Sequence, residues 1–506
     1  MLTKILAMPF LVILIGMSAV SMILPAAHAL VAGDFDTMRV FFYSGLLLLI
    51  LVTLIAFATH GRPVRRQARS HLIALLATYT VLPALLAFPF YEAVGNTSFL
   101  NAYFEMVSSL TTTGATLFDQ PERLAPSVHL WRALVGWMGG FFSWVTAIAI
   151  LAPLNLGGFE VLSTSQIGQA SAGASQIYRV ADSSDRLTRY SAQLFPVYSG
   201  LTVLLWVLLQ VAGQDTFIAF NLALSTMSTS GILPVSSLAD SGAGMGGEAI
   251  IVLFLLFALS RQTFARRQKG EGFGRLKRDP EFNLGVILVL GVPLLLFLRH
   301  WFAAFEVDDP QNLAGALDAI WGGVFMVLSF LTTTGFESGS WDSVRAWSGL
   351  ATPGLLLVGL SLLGGGVATT AGGVKLLRVY ALYRHGEREL EKLVHPNSIG
   401  GAGVSARHMR RQGAFVAWIF FMLFAISIAA VMALLALVGV GFEQATVLAV
   451  AALSTTGPLI LVVGDASASW SGLSDAGKMI AAGAMVLGRM ETLAIIALLN
   501  PAFWRV

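Results

Sequence analysis

Ser109-Leu110-Thr111-Thr112-Thr113-Gly114 lies between long apolar runs, and variants of it recur three times along the chain. They read Ser225-Thr226-Met227-Ser228-Thr229-Ser230-Gly231, Ser329-Phe330-Leu331-Thr332-Thr333-Thr334-Gly335 and Leu453-Ser454-Thr455-Thr456-Gly457. Their glycines are separated by 117, 104 and 122 residues. One such segment is an ordinary helix end with glycine as its cap. Four, each between hydrophobic runs, imply four copies of one membrane unit.

The composition agrees. Of 506 residues 56% are hydrophobic and 12% charged, with a mean hydropathy of +0.76; soluble domains carry about 25% charged residues. The net charge of +3 does not point to nucleic acid, because the basic residues sit in a few loops. Without cysteine there is no disulfide framework, thiol chemistry or thiolate metal site. The eight histidines are scattered without metal-ligand spacing.

A membrane helix needs about 20 mostly apolar residues. Leu11–Gly33, Val40–Thr59, His71–Tyr91, Ala133–Phe159, Tyr190–Gln214, Ala346–Val374 and Gln412–Phe442 qualify, with Phe282–Leu298 slightly short. Ala249–Ser260 spans only if it starts near Gly242, and Met479–Trp504 spans while carrying Arg489 and Glu491. Lys4, the first apolar run and Ala27-His28-Ala29 look like a secretory signal, but the run exceeds an h-region of roughly 7–15 residues, so retention as a helix is expected.

Short cytoplasmic loops collect Lys and Arg. Four connections hold 22 of the 31: around Arg62–Arg69, Arg179–Arg189, Arg261–Arg278 and Lys375–Arg411. Between them the chain must leave the cytoplasmic side and return. Each excursion contains a stretch too short to span, Phe99–Leu110, Thr216–Leu224, Leu317–Leu328 or Glu443–Leu453, followed by the Thr/Ser/Gly signature. These are expected to be re-entrant half-helices that stop mid-membrane. Irregular backbone survives there only against protein or water. The fold class expected is all-α and polytopic: four helix–pore-half-helix–helix repeats around a pseudo-fourfold central pore, plus two extra N-terminal helices. The expected divisions are 1–60, 61–160, 161–270, 271–395 and 396–506.

Such a ring suits a cation. Backbone carbonyls replace its water without fixed charge, glycine permits the conformation, and the C-terminal ends of the half-helices aim partial negative charge at the centre. The residues expected to form the filter are Thr112, Thr113, Gly114, Thr229, Ser230, Gly231, Thr333, Thr334, Gly335, Thr455, Thr456 and Gly457. Acidic or amide residues near the N-terminal ends of the half-helices (Asn101, Glu105, Asp215, Asp318, Glu443, Gln444) suit the opposite pole, and acidic outer loops would raise the local cation concentration.

Gly364-Gly365-Gly366-Val367-Ala368-Thr369-Thr370-Ala371-Gly372-Gly373 should break the helix that runs into it, since glycine costs about 1 kcal/mol in a helix interior. A flexible loop below the filter is expected, over a small-residue packing seam. Arg489 is the second outlier, because an ionisable residue within a span normally faces a cavity or a partner. It is read as a fixed positive charge below the filter, or as a structural partner of Glu491 or of a neighbour's helix-end carbonyls. Gly242-Ala243-Gly244-Met245-Gly246-Gly247 fits a dinucleotide-binding pattern only formally and is read as outer linker. An enzyme would need more intramembrane ionisable groups than these. An organic-solute carrier would need a roomy midplane pocket.

The chain resembles the Trk/Ktr/HKT superfamily of potassium transporters, and within it the bacterial TrkH-type subunits. The likeness is carried by Tyr103-Phe104-Glu105, Thr111–Thr116, Trp131–Leu134, Trp137-Met138-Gly139-Gly140, Thr332–Phe336, Thr370-Ala371-Gly372-Gly373-Val374-Lys375, Gly488-Arg489-Met490-Glu491 and Phe503-Trp504-Arg505. The resemblance implies potassium (K+) uptake across the bacterial inner membrane, a homodimer, and a separate cytoplasmic nucleotide-binding subunit of TrkA type. The basic loops also suit anionic membrane lipids. In the family, glycine at all four filter positions goes with potassium preference, and Gly114, Gly231, Gly335 and Gly457 fit. It also implies a gate made by the intramembrane loop (Gly364, Gly365, Gly366, Thr369, Thr370, Gly372, Gly373) and Arg489. Two features depart from the family pattern: Val367-Ala368 stand where serines are usual, and the second and fourth loops lack the triple threonine. The alternative reading is a sodium- or proton-coupled cation symporter of relaxed selectivity.

Overall fold

Backbone in hydrocarbon must satisfy its own hydrogen bonds, so the long apolar runs become helices. The computed structural model describes residues 10–59, 67–153, 157–161, 183–242, 244–260, 276, 279–304, 313–350, 352–395, 413–463 and 469–491. Most of the basic connections, Glu306, Asp308, Asp309, Asp465 and the chain after Glu491, with Phe503-Trp504-Arg505, lie outside them. Seven helices among the described residues are long and apolar enough to cross a membrane.

The first span is made of α1 (Phe10–Ser21) and α2 (Ile23–Val31), followed by α3 (Phe35–Thr59). These pack on one another and on the first repeat. That repeat is α4 (Gln67–Val94), the half-helix α5 (Phe99–Leu110) and α6 (Pro126–Thr146), which ends in a π turn at Ala147–Leu151. The second is α7 (Ser183–Val211), the half-helix α8 (Thr216–Ser228) and α9 (Gly244–Leu255). The third is α10 (Pro280–Ala304), the half-helix α11 (Leu313–Leu331), α12 (Trp341–Ser348) and α13 (Gly354–Leu363). α14 (Leu376–Val394) leads to the fourth, made of α15 (Gly413–Leu437), the half-helix α16 (Phe442–Leu453), α17 (Leu459–Val462) and α18 (Asp475–Met490).

Two of the half-helices start at side-chain caps. Ser98 accepts from Asn101 N, and Asp215 accepts from Phe217 N and Ile218 N. Twelve residues of helix, as in α5 and α16, reach roughly 18 Å, short of the roughly 30 Å core. Each half-helix packs between the helices of its own repeat. The last helix of each repeat also packs on the next half-helix: α6 on α8, α9 on α11, α13 on α16, and α18 back on α5. The fourth repeat thus returns to the first and closes a ring. Glycine permits the tightest of these contacts. A Cβ on Gly139 or Gly488 would strike the carbonyl of Leu110 or Leu453, the last residue of α5 or α16.

Several expectations need correction. Ala346–Val374 is not one span: Gly349 takes a left-handed conformation (φ 57°) after α12, Pro353 precedes α13, and α13 stops at Leu363. The third half-helix is longer than expected, and the second runs on to Ser228. Gly244, Gly246 and Gly247 form the first turn of α9 instead of a linker.

Glu105 lies mid-way along α5, fully buried, rather than at its outer end. One carboxylate oxygen is 3.0 Å from Arg132 Nε on α6. The other accepts from Leu117 N (2.6 Å) and Thr116 Oγ1 (2.9 Å) on the chain leaving the first loop. Glu105 therefore pins half-helix, returning chain and outer helix together. Removing one partner of a buried pair costs about 3–5 kcal/mol. Glu105→Ala should accordingly lower the unfolding temperature of the detergent-solubilised protein markedly, Glu105→Gln less so. A wild-type melting curve for both would remove the brace from this account.

Candidate ion-conducting site

Each half-helix ends in the same way. Thr112, Thr229, Thr333 and Thr455 adopt φ of 56°, 50°, 57° and 57°. This is the left-handed region, uncommon for a β-branched residue. The next amide reaches back five residues in every copy: Thr113 N to Ser108 O (2.8 Å), Ser230 N to Ser225 O (3.0 Å), Thr334 N to Ser329 O (2.9 Å) and Thr456 N to Ala451 O (2.8 Å). That bond pattern is the Schellman termination, which normally places glycine at the left-handed position. Threonine there holds a strained backbone and puts a hydroxyl at the tip of each half-helix.

Two residues further on, Gly114, Gly231 and Gly335 have φ of 72°, 67° and 81°. Gly457 does not take positive φ. It is the one of the four that precedes a proline, Pro458, which disfavours helical backbone at the residue before it. The four loops meet in sequence around one centre. A Cβ on Gly114 would stand 3.4 Å from the Gly231 carbonyl carbon, and one on Gly231 would strike the Thr334 carbonyl oxygen. A Cβ on Gly335 would be 3.1 Å from Pro458, and Gly457 N donates to Thr113 O at 2.6 Å. All twelve expected filter residues therefore lie in one ring of four short segments.

The residues from Gly364 to Lys375 are loop, not helix. The loop is anchored by Gly366 N to Ala258 O (2.9 Å), Val367 N to Glu281 Oε1 (3.2 Å), Val374 N to Leu362 O (2.9 Å) and Leu376 N to Gly365 O (2.9 Å). Its middle rises to the threonine tips. Thr229 Oγ1 is 3.1 Å from Thr370 Oγ1, and Gly372 N donates to Thr333 Oγ1 at 2.7 Å. A Cβ on Gly372 would strike Thr455 Oγ1. The hydroxyls of Thr112 and Thr455 are buried without a hydrogen-bond partner among the described residues, a state costing about 1–3 kcal/mol each.

Arg489, near the end of α18, holds the loop from the side. It donates to Thr370 O at 2.7 Å and to Ser143 Oγ on α6. The expected alternative, an Arg489–Glu491 pair, is not how Glu491 is used: it pairs with Arg378 at 2.7 Å. The Arg378 guanidinium also lies 3.6 Å over the Phe420 ring. Lys375 and Arg378, read from sequence as cytoplasmic loop charges, are buried at the base of the intramembrane loop, where Lys375 Nζ donates to Ala371 O. Buried charge is thus more plentiful than Arg489 and Glu491 alone, since Glu105, Arg132 and Glu248 belong to it as well. Glu248 is a brace of the third repeat, accepting from Trp321 Nε1 (2.7 Å) and Gly339 N (2.7 Å). Ser143, Arg378 and Glu248 have no local signal in the sequence; their partners lie 346, 113 and 73 or more residues away.

Two small cavities flank the loop. One is lined by Trp144, Tyr198, Thr229, Phe257 and Thr370. The other is lined by Tyr79, Ser143, Lys375, Arg489 and Glu491 together with apolar Leu75 and Leu151. Neither has the room that an organic solute requires.

Comparison with known proteins agrees with this geometry. The family model described as TrkH, cation transport protein, matches residues 37–257 and 282–504. The Trk system potassium uptake protein TrkH of Salmonella typhimurium is 28% identical over 493 residues, covering 96% of each chain. That of Halomonas elongata is 30% identical over 418 residues, covering 80% of this chain and 79% of its own. The crystal structure of the potassium transporter TrkH from Vibrio parahaemolyticus superposes with a TM-score of 0.80 at 25% identity, over 99% of both chains. The chain is a polytopic, all-α membrane protein that belongs to the TrkH family of cation transport proteins.

Proposed function

We propose that this chain takes up potassium across the bacterial inner membrane, through the ring formed by Thr112–Gly114, Thr229–Gly231, Thr333–Gly335 and Thr455–Gly457. The observation that carries the proposal is the fourfold recurrence of one termination, with a left-handed threonine two residues before each glycine. Short helices ending at a common centre turn partial negative charge toward it, and carbonyl and hydroxyl oxygens there replace an ion's water. The relatives named above are potassium transporters by name, and all four filter glycines fit that preference. The ring is not fully symmetric, because Gly457 differs in conformation and its amide shares the Thr113 carbonyl.

The loop from Gly364 to Gly373 is the gate in this reading, and Arg489 its clamp. Tied to Thr370 O and Ser143, Arg489 keeps the loop against the threonine tips and keeps a positive charge on the ion's exit path. The chain divides functionally into an N-terminal two-helix segment (1–60) and pore repeats at 61–160, 161–270, 271–395 and 396–506. It works as a homodimer with a cytoplasmic nucleotide-binding subunit of TrkA type, its basic connections facing that subunit and anionic lipid.

Rubidium-86 uptake into proteoliposomes, with sodium and proton gradients imposed separately, is the direct assay. Uptake should follow the rubidium gradient and membrane potential without either coupling ion; uptake that requires a sodium or proton gradient would make the chain a symporter instead. Gly231→Ala, whose methyl would meet the Thr334 carbonyl, should cut uptake by about tenfold or more, about 1.4 kcal/mol or more in barrier terms. Normal uptake by that variant would place the conducting path elsewhere. Arg489→Ala should raise flux by freeing the loop, and unchanged flux at normal protein levels would deny Arg489 its clamping role.

A further inference from the structure

The four threonine hydroxyls at the half-helix tips are chemically equivalent but differently engaged. The loop takes that of Thr333, which accepts from the Gly372 amide at 2.7 Å, and stands against that of Thr229, which lies within donating reach of both the Thr370 hydroxyl (3.1 Å) and Ser228 O (2.8 Å). The other two, on Thr112 and Thr455, are 1% exposed and have no partner among the described residues. The Gly372 N–H is the telling contact. It points the positive end of an amide dipole at an oxygen of the ring, where a cation bound by that ring would place its own charge. The missing side chain of Gly372 lets the loop backbone come this close to Thr455 as well.

We propose that the docked loop and an alkali cation compete for this innermost ring of hydroxyls. The inference rests on the conduction reading above and adds a regulation to it. While docked, the loop occupies the Thr333 oxygen with the Gly372 N–H and sets Thr370 against Thr229, which leaves an incomplete site that cannot replace a cation's water. When a permeant ion fills the ring, it needs the Thr333 oxygen, and the Gly372 amide loses its acceptor there. Coupling of this kind is reciprocal: docking weakens ion binding by the factor by which the ion weakens docking. The gate therefore senses the ion it admits, and the incoming cation helps to hold the loop open.

The chain has no cysteine, so a single thiol reports on the loop without background. Thr369 lines the cavities on both sides of the loop and makes its hydrogen bond to Gly366 O within the loop, not to the ring. In full-length Thr369→Cys protein, modification by a charged methanethiosulfonate reagent is timed in potassium and in N-methyl-D-glucamine at equal ionic strength. Rubidium-86 uptake is measured alongside on the wild-type protein. Potassium should speed modification by about fivefold or more, the lower end of ordinary coupling between sites. Adding Thr112→Val and Thr455→Val should abolish that acceleration, whereas Thr112→Ser and Thr455→Ser, which keep the hydroxyls, should retain it. Where the double valine variant does not elute as folded protein, Thr112→Val alone is read and should reduce the acceleration. Equal or undetectable rates in the two ions, with rubidium uptake intact, would overturn the competition and leave conduction standing. So would acceleration that persists in the folded valine variants. Folded wild-type protein that takes up no rubidium would refute conduction, and the competition with it.

Discussion

The constraint behind the whole structure is that four helices end in the middle of a membrane. Main-chain groups at that depth have no water to turn to, and each orphan is expensive. The molecule meets this demand in three ways. Each termination folds back on its own helix through the amide that follows the left-handed threonine. Neighbouring loops press together around the ring, with Gly457 N on Thr113 O as the direct bond between the fourth and the first. The glycine-rich loop covers two of the tips, with Gly372 N on Thr333 Oγ1 and Thr370 beside Thr229. Stability and the proposed conduction path thus draw on the same residues.

Outer layers follow from that need. Half-helices too short to span must be held by neighbours, and the last helix of each repeat packs against the next half-helix until α18 returns to α5. Buried carboxylates steady the chain as it leaves the filter: Glu105 takes Thr116 and Leu117 in the first repeat, and Glu248 takes Ser338 and Gly339 in the third. The second and fourth repeats use other means; in the fourth, Trp470 Nε1 donates to Gly457 O at 3.2 Å. The symmetry is therefore strict in the backbone of the helix ends and loose in what supports them. Among the described residues the glycine-rich loop follows the third half-helix alone, and Arg489 holds it from one side.

Much of this was legible in the chain because the signals are local. The Thr-Gly segments, their spacing and the apolar runs beside them specify half-helices and a ring, and the glycines between 364 and 373 forbid a continuous helix. The one filter glycine without positive φ, Gly457, is also the one followed by proline. What stayed hidden depends on partners far away in sequence. Lys375 and Arg378 look like cytoplasmic charges because they follow a span, yet Arg378 is buried against Glu491 and Phe420. Glu491 looks like the partner of Arg489 because it is two residues away, but Arg489 reaches Ser143 and Thr370 instead. Glu105 was read by its closeness to a helix end, whereas its role is set by Arg132 and the returning chain. Composition announces a membrane protein, but it cannot say which buried charges meet.

The central claim is that the four tips jointly surround a dehydrated alkali cation. Anomalous diffraction from crystals grown with thallium or rubidium tests it most directly. The account predicts peaks on the common axis of Thr112–Gly114, Thr229–Gly231, Thr333–Gly335 and Thr455–Gly457. Ordered ions found only away from that axis, or an axis without density at saturating ion concentration, would contradict it.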